Sequence, residues 1–474
     1  MDFQIFVTPG LGDNSYLIAS DGEAIVVDPQ RDAWRFLAFA ESQRWTVRHV
    51  VETHIHNDYV SGAHEIRKAT GAEICGSARS GYRFPFRRLE EGSEIRVGGA
   101  RVVAWEAPGH TWEHMCYLVH EDNAGAPTLA CTGGSLIVGS TGRTDLLGPE
   151  HTDELTRAQY RTVHRLAGLV DSVQVLPTHG AGSFCTASVG RKERTTTIGD
   201  ERRANPAFAA ADEAAFVQER LTGLLVYPAY YAHMAGINLT GARILARLPA
   251  VKPLTPQDVE GGTKRGAWIV DARSRHLFAD AHIPGAVNIE LDSAFGTYVG
   301  WTIPFGAALI LILPEPVGAS AEKAMTQLIR IGWDDVAGYL AGGLDAWRQE
   351  GRPVRSFPTA DADDLCHAFT EGRDIEILDV RQPSEWRSGH IPGSRTVFVG
   401  DLPGRIDETR TARTDKEVWV ICASGHRASI AASFLDRAGA NVRLVAQGGV
   451  PEWLARCMPQ ARGLPQEATP RDRR

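Results

Sequence analysis

A chain of 474 residues, 43% hydrophobic and 23% charged, exceeds one ordinary core; at roughly 100–200 residues per domain it predicts about three domains. Its 50 basic and 58 acidic residues leave a net charge of -8, which argues against nucleic acid or an anionic membrane as a general partner. The first cationic side chain is Arg31, and the longest strongly apolar run is the nine residues from Phe305 to Leu313. Neither a secretory start nor a membrane span is predicted, and a reducing cytoplasm is the expected compartment. Seven cysteines without a Cys-x-x-Cys pair predict reduced thiols rather than disulfides. None lies between Cys185 and Cys366.

In chain order, short apolar runs predict strands near 15–19, 24–27, 47–52, 101–106, 115–119, 128–132 and 173–176, with helices between them. Polar clusters sit at three strand ends: Thr53-His54-Ile55-His56-Asn57-Asp58-Tyr59, Pro108-Gly109-His110-Thr111 and Pro177-Thr178-His179-Gly180. Side chains at the ends of adjacent strands meet at one rim, where clustered imidazoles can hold a metal ion. The stretch 205–250 is expected to be mostly helical. Its Leu224, Tyr227, Tyr230, Tyr231 and Met234 are read as packing against the first domain or covering the pocket. Cys185, six residues beyond His179, has two readings, a thiol near the site that accepts sulfur and, the favoured one, a buried, inert thiol.

With Thr132-Gly133-Gly134-Ser135-Leu136 and Gly142-Arg143-Thr144-Asp145-Leu146, this half resembles the metallo-β-lactamase fold. More narrowly, it resembles the persulfide dioxygenase branch related to glyoxalase II. The resemblance implies an αββα sandwich and a single Fe(II) held by two His and one Asp. His54 and His110 match the histidines, and Arg143 matches an arginine that holds the carboxylate of a glutathione persulfide. Two positions depart from the family: its second-metal His is Tyr59 here, and the Asp of its Thr-Gly-Asp motif is Gly134. A binuclear hydrolase loses both a ligand and the bridging carboxylate, and the iron triad loses its third ligand. A mononuclear set of His54, His56 and His110 remains, with Asp58 and His179 in or near its outer shell. The cofactor expected is one divalent metal, Fe(II) favoured and Zn(II) an alternative.

The second half is an internal repeat. Asp271-Ala272-Arg273 with His282-Ile283-Pro284-Gly285 recurs as Asp379-Val380-Arg381 with His390-Ile391-Pro392-Gly393. Gly342-Gly343-Leu344-Asp345-Ala346-Trp347 recurs as Gly448-Gly449-Val450-Pro451-Glu452-Trp453. Each copy alternates strands and helices, which predicts a parallel sheet. N-caps at Thr255 and Thr359 place boundaries near 252 and 358. The predicted domains are therefore 1–251, 252–357 and 358–460, followed by a tail over 461–474.

In the second copy a strand runs into Cys422-Ala423-Ser424-Gly425-His426-Arg427 and then a helix near 428–438. Backbone N–H groups on such a loop, together with the helix dipole, stabilise an anionic sulfur. Arg427 adds positive charge, and Ser424, Gly425 and His426 are the expected substrate contacts. Residues 252–460 resemble a tandem rhodanese pair, a family that moves sulfane sulfur through a cysteine persulfide, with Cys422 as the matched nucleophile. The first copy has Leu313-Pro314-Glu315-Pro316-Val317-Gly318 at that position and no thiol, so it is read as structural or docking.

The expected function is sulfide and persulfide metabolism, with a metal-dependent persulfide dioxygenase-like domain fused to a Cys422 sulfurtransferase. Two alternatives stay open: a transferase on a non-catalytic scaffold, and a mononuclear zinc thioester or lactam hydrolase. Expected partners are a small-molecule persulfide or thiosulfate and a thiol acceptor, without nucleic acid or membrane. A homodimer is compatible with the sequence.

Overall fold

The computed structural model describes residues 1–122, 124–188, 191–222, 224–407 and 416–458. The expected tail over 461–474 lies outside them. Two compact units result. One comprises the described residues of Met1–Ala250, Ser293–Trp301 and Glu322–Asp335; the other comprises Val251–Asp292, Thr302–Ala321 and the described residues from Val336 onward.

The first unit is built on two six-stranded sheets. One takes its strands in chain order: Asp2–Thr8, Asp13–Ser20, Glu23–Val27, Thr46–Val51, Glu73–Ser77 and Arg87–Leu89. The other runs Thr196–Thr197, Gln174–Pro177, Leu129–Gly133, Met115–His120, Ala100–Glu106 and Glu94–Val97. Alternating side chains of both sheets interdigitate around Tyr16, Val51, Val102, Tyr117 and Leu176. Helices Trp34–Ser42 and Ala63–Thr70 cover one outer face, and Pro149–Leu166 with Ile198–Ala204 covers the other. The expected αββα sandwich is present. Residues 293–301 and 322–335 belong to this unit although they lie inside the first repeat. There Arg330 clasps Asp32 at 2.8 and 2.5 Å, and Arg31 reaches Asp334 at 2.9 Å.

The second unit holds two five-stranded parallel sheets with one strand order. The first runs Pro253–Leu254, Gly338–Leu340, Leu309–Ile312, Trp268–Asp271 and Val287–Asn288. The second runs Thr359–Asp361, Val442–Gln447, Glu417–Ile421, Ile375–Asp379 and Arg395–Thr396. The repeated Asp-x-Arg motif is a folding device. Arg273 forks onto Asp271 (2.9 and 2.6 Å) and donates to the Ala281 carbonyl at 2.9 Å. Arg381 does the same with Asp379 (2.9 and 2.6 Å) and the Gly389 carbonyl at 2.7 Å. Each fork ties a strand end to the residue preceding the His-Ile-Pro-Gly turn, with buried charge fully hydrogen-bonded.

Several expectations are corrected. Thr255 is an N-cap with Asp258 as its capping-box partner, but the second cap is Asp361, because Thr359 pairs into the sheet with Leu444. The stretch 205–250 has helices at Pro206–Ala209, Glu213–Leu221 and Tyr231–Thr240, and its other described residues are irregular. Cys366 and Cys457 form a disulfide rather than two thiols: helices Ala362–Thr370 and Val450–Arg456 pack together and bring residues 91 apart in sequence to a Cα separation of 5.6 Å. No described helix is long and apolar enough to cross a membrane.

Candidate functional site

At the rim of the sandwich, His54 follows the strand Thr46–Val51, His110 follows Ala100–Glu106 and His179 follows Gln174–Pro177. All three are buried, with ligand atoms within 4.8 Å of one another. Thr53 Oγ1 gives its hydrogen to Asp28 and therefore accepts from His54 Nδ1 at 2.9 Å. His110 Nδ1 donates to the Arg143 carbonyl at 2.6 Å, and His179 Nδ1 donates to Asp13 at 2.9 Å. With every Nδ1 donated outward, the three Nε2 lone pairs are left for the centre; those of His54 and His179 lie 3.3 Å apart. Imidazoles anchored outward in this way have the arrangement that suits metal binding, with an outer shell fixing each ring. Burial, reinforced by the neighbouring histidines, holds His54 and His110 well below the ordinary imidazole value and lowers His179. Neutral rings are what a cation needs.

His56 is arranged differently. Its Nε2 faces Glu52 (3.2 Å), Asp28 (3.3 Å) and the Tyr59 hydroxyl (2.9 Å). Burial opposes its protonation, but Asp28 and Glu52 hold it well above the ordinary value. A second group, His56, Asp58 and His179, also has ligand atoms within 4.8 Å, so His179 is common to both groups. Burial pushes Asp13 and Asp58 up to about 7. The histidines predicted from sequence are divided between the two groups: His54 and His110 meet His179 in one, and His56 meets Asp58 and His179 in the other. Asp28, Glu52 and Tyr59 engage only Nε2 of His56; its buried Nδ1 has no hydrogen-bond partner among the described residues and is left for the group it forms with Asp58 and His179.

Gly134 accounts for the missing carboxylate. A Cβ there would lie 2.4 Å from His110 Cδ2 and 2.6 Å from Cγ, so the ring fills the space a side chain needs. Three imidazoles and no bridging carboxylate fit one divalent cation.

Sequence reasoning missed the residues that set this rim. Asp28 adopts φ 51°, accepts from Thr53 N and Oγ1 at 2.7 Å each, and also accepts from Thr178 Oγ1. Asn238 donates to the His56 carbonyl (2.9 Å) and the Tyr59 carbonyl (2.8 Å), and the Tyr230 hydroxyl donates to the Asp58 carbonyl at 2.9 Å. His114 accepts from Gly134 N at 2.9 Å and is pushed down to about 3 by burial. Arg143 is buried and forks onto Asp145 at 2.7 Å twice; it also donates to the Phe184 and Leu225 carbonyls and stacks on Tyr227. A substrate carboxylate would compete with Asp145 for it. Burial raises the Cys185 thiol well above its ordinary value.

In the second unit Cys422 directly follows the strand Glu417–Ile421 and is 1% exposed. Its Sγ accepts from Ser424 N at 3.5 Å and Gly425 N at 3.1 Å. Gly425 has φ +90°, and a Cβ there would lie 2.3 Å from the Ala446 carbonyl, so the turn into helix His426–Arg437 requires glycine. Arg427 forks onto Glu385 at 2.5 and 2.9 Å; although burial raises the Glu385 carboxyl, Arg427 holds it below the usual value. His426 Nδ1 lies 3.7 Å from Asp292. A cavity of about 390 Å³ adjoins the loop, lined by Ala423, Ser424, Gln447 and Glu452 of the second repeat and by Arg275 and Glu290 of the first.

Residues 8–192 match the metallo-beta-lactamase superfamily, and residues 255–350 and 361–456 match the rhodanese-like domain. A hydroxyacylglutathione hydrolase of Rhodospirillum rubrum is 33% identical over 222 residues, 44% of this chain and 86% of that protein. One from Cereibacter sphaeroides is 35% identical over 148 residues, 30% of this chain and 56% of that protein. A metallo-beta-lactamase structure from Staphylococcus aureus superposes with TM-score 0.65 at 29% identity, covering 72% of this chain and 98% of its own. The chain belongs to the metallo-beta-lactamase superfamily through its first part and carries two rhodanese-like domains in its second.

Proposed function

We propose that the chain handles sulfane sulfur at two centres: Cys422 transfers it as a persulfide, and the imidazole centre oxidises a low-molecular-weight persulfide with O₂. The observation that carries the transfer reading is the Cys422 Sγ beneath the N–H groups of Ser424 and Gly425. The Cys422 sulfur attacks the outer sulfur of thiosulfate; that S–S bond breaks and sulfite leaves with its electron pair. The two N–H groups and the helix N-terminus then stabilise the charge on the bound persulfide. A thiolate or cyanide attacks the outer sulfur, and the electron pair of the breaking S–S bond returns to Cys422.

At the other centre, His54, His110 and His179 would hold the cation, while Thr53, the Arg143 carbonyl and Asp13 orient the three rings. Bound Fe(II) supplies O₂ chemistry that no side chain of the protein provides. The overall reaction is balanced: one persulfide RSSH, one O₂ and one water give RSH, sulfite and two protons.

Thiocyanate formation from thiosulfate and cyanide tests the transfer. Wild type forms it, and Cys422→Ser does not; retained activity in Cys422→Ser contradicts the assignment. A zinc-loaded protein that cleaves a glutathione thioester and takes up no O₂ would make the first unit a hydrolase instead.

A further inference from the structure

We infer that the repeat without a cysteine is a working part of the transferase, and that its Arg275 is a positioning residue for the Cys422 loop. This rests on the reading of Cys422 as the persulfide carrier. Arg275 opens the helix Arg275–Asp280, and its Nη1 donates to the Ser424 carbonyl at 2.5 Å and approaches the Ala446 carbonyl at 3.4 Å. Its Nη2 pairs with Glu290 at 2.6 Å, and Glu290 also accepts from Arg275 N at 2.8 Å, so the guanidinium is aimed from both ends. Ser424 carries one of the two N–H groups at Cys422 Sγ. The Ser424 carbonyl shares its peptide plane with Gly425 N–H, the nearer donor at 3.1 Å, so fixing that carbonyl fixes the plane that points Gly425 N–H at the sulfur.

The helix behind the loop is held by the same repeat. His426, Ser429, Ser433 and Asp436 follow helical spacing and share one face. Along that face, His426 lies 3.7 Å from Asp292, Ser429 Oγ donates to Asn288 Oδ1, Asn288 N donates to Ser433 Oγ at 3.1 Å, and Asp436 meets His282 at 3.1 Å. The contacts at the far end hold the helix alone, whereas Arg275 touches the loop carrying the sulfur. The two ends therefore differ in what they control.

The test uses the full chain as wild type, Cys422→Ser, Arg275→Met, Arg275→Lys and His282→Gln. It measures kcat and KM for thiosulfate, thermal unfolding, and the fraction of Cys422 carrying an extra sulfur by intact-protein mass. Losing one hydrogen bond from a charged donor predicts a kcat about tenfold lower in Arg275→Met, with KM little changed and less persulfide on Cys422. Arg275→Lys recovers most of the loss because its ammonium still donates. His282→Gln lowers the unfolding midpoint and keeps kcat. Wild-type kcat in Arg275→Met overturns the inference. So does a loss that Arg275→Lys leaves unrelieved or that His282→Gln shares, since either marks a purely structural role. A wild type that forms no thiocyanate instead refutes the reading of Cys422, whatever Arg275 does.

Discussion

His54 and His179 face each other through Nε2 atoms 3.3 Å apart, each ring having donated its Nδ1 hydrogen outward. Two lone pairs so placed repel unless a shared cation lies between them. His179→Ala is therefore expected to lose bound metal outright. Asp13→Asn, which weakens only the orientation of His179, should lower affinity about 10- to 100-fold. Metal analysis after dialysis against a graded chelator measures both.

Gly134→Asp would restore the carboxylate of the related sequences, yet it is expected to damage this protein. Its Cβ would sit 2.4 Å from the His110 ring, an overlap that costs about 1–3 kcal/mol in a packed interior. The expected result is a lower unfolding midpoint and less bound metal. A gain of metal without loss of stability would show that the His110 ring moves aside.

How much of this was legible beforehand varied with the range of the interactions. The tandem repeat was plain because Asp-x-Arg and His-Ile-Pro-Gly recur with local spacing, and each Asp-x-Arg fork closes over only two residues. The strand-end histidines were equally plain. Their convergence was not, because it depends on anchors distant in sequence: Asp13 holds His179, the Arg143 carbonyl holds His110, and Asn238 reaches the His56 carbonyl from 182 residues away. The second helix cap was misplaced by two residues because Thr359 has a sheet partner 85 residues later. The cysteine pair was missed for the same reason: two helices distant in sequence bring it together.

Gly425→Ala should impair both stability and transfer. At φ +90° a Cβ costs about 1–2 kcal/mol, before its 2.3 Å approach to the Ala446 carbonyl is counted. Relief requires the loop to rotate and withdraw its N–H groups from Cys422 Sγ. Thiocyanate assays and thermal unfolding should both fall relative to wild type.

Asp436 joins the repeats in the second unit, bound by His282 at 3.1 Å and Arg355 at 2.7 Å. Burial raises its carboxyl, but these two partners hold it below the ordinary value. A depressed carboxylate contributes stability that is present above the unfolded value of about 3.9 and is lost as pH falls toward the folded one. Thermal unfolding from pH 7 to 3 should show that loss in wild type and less of it in Asp436→Asn. At pH 7 the variant should be destabilised by about 1.5–3 kcal/mol.

Alkylation of the unreduced, denatured protein should label five cysteines, and prior reduction should raise the count to the full seven of the sequence. Peptide mapping should place the two additional labels on Cys366 and Cys457.

O₂ consumption by the full-length, Fe(II)-loaded protein given glutathione persulfide tests the central claim most directly. Persulfide-dependent uptake matched mole for mole by sulfite, and lost in His179→Ala, is the predicted result. Stoichiometric iron at the three histidines with no persulfide-dependent uptake would contradict it.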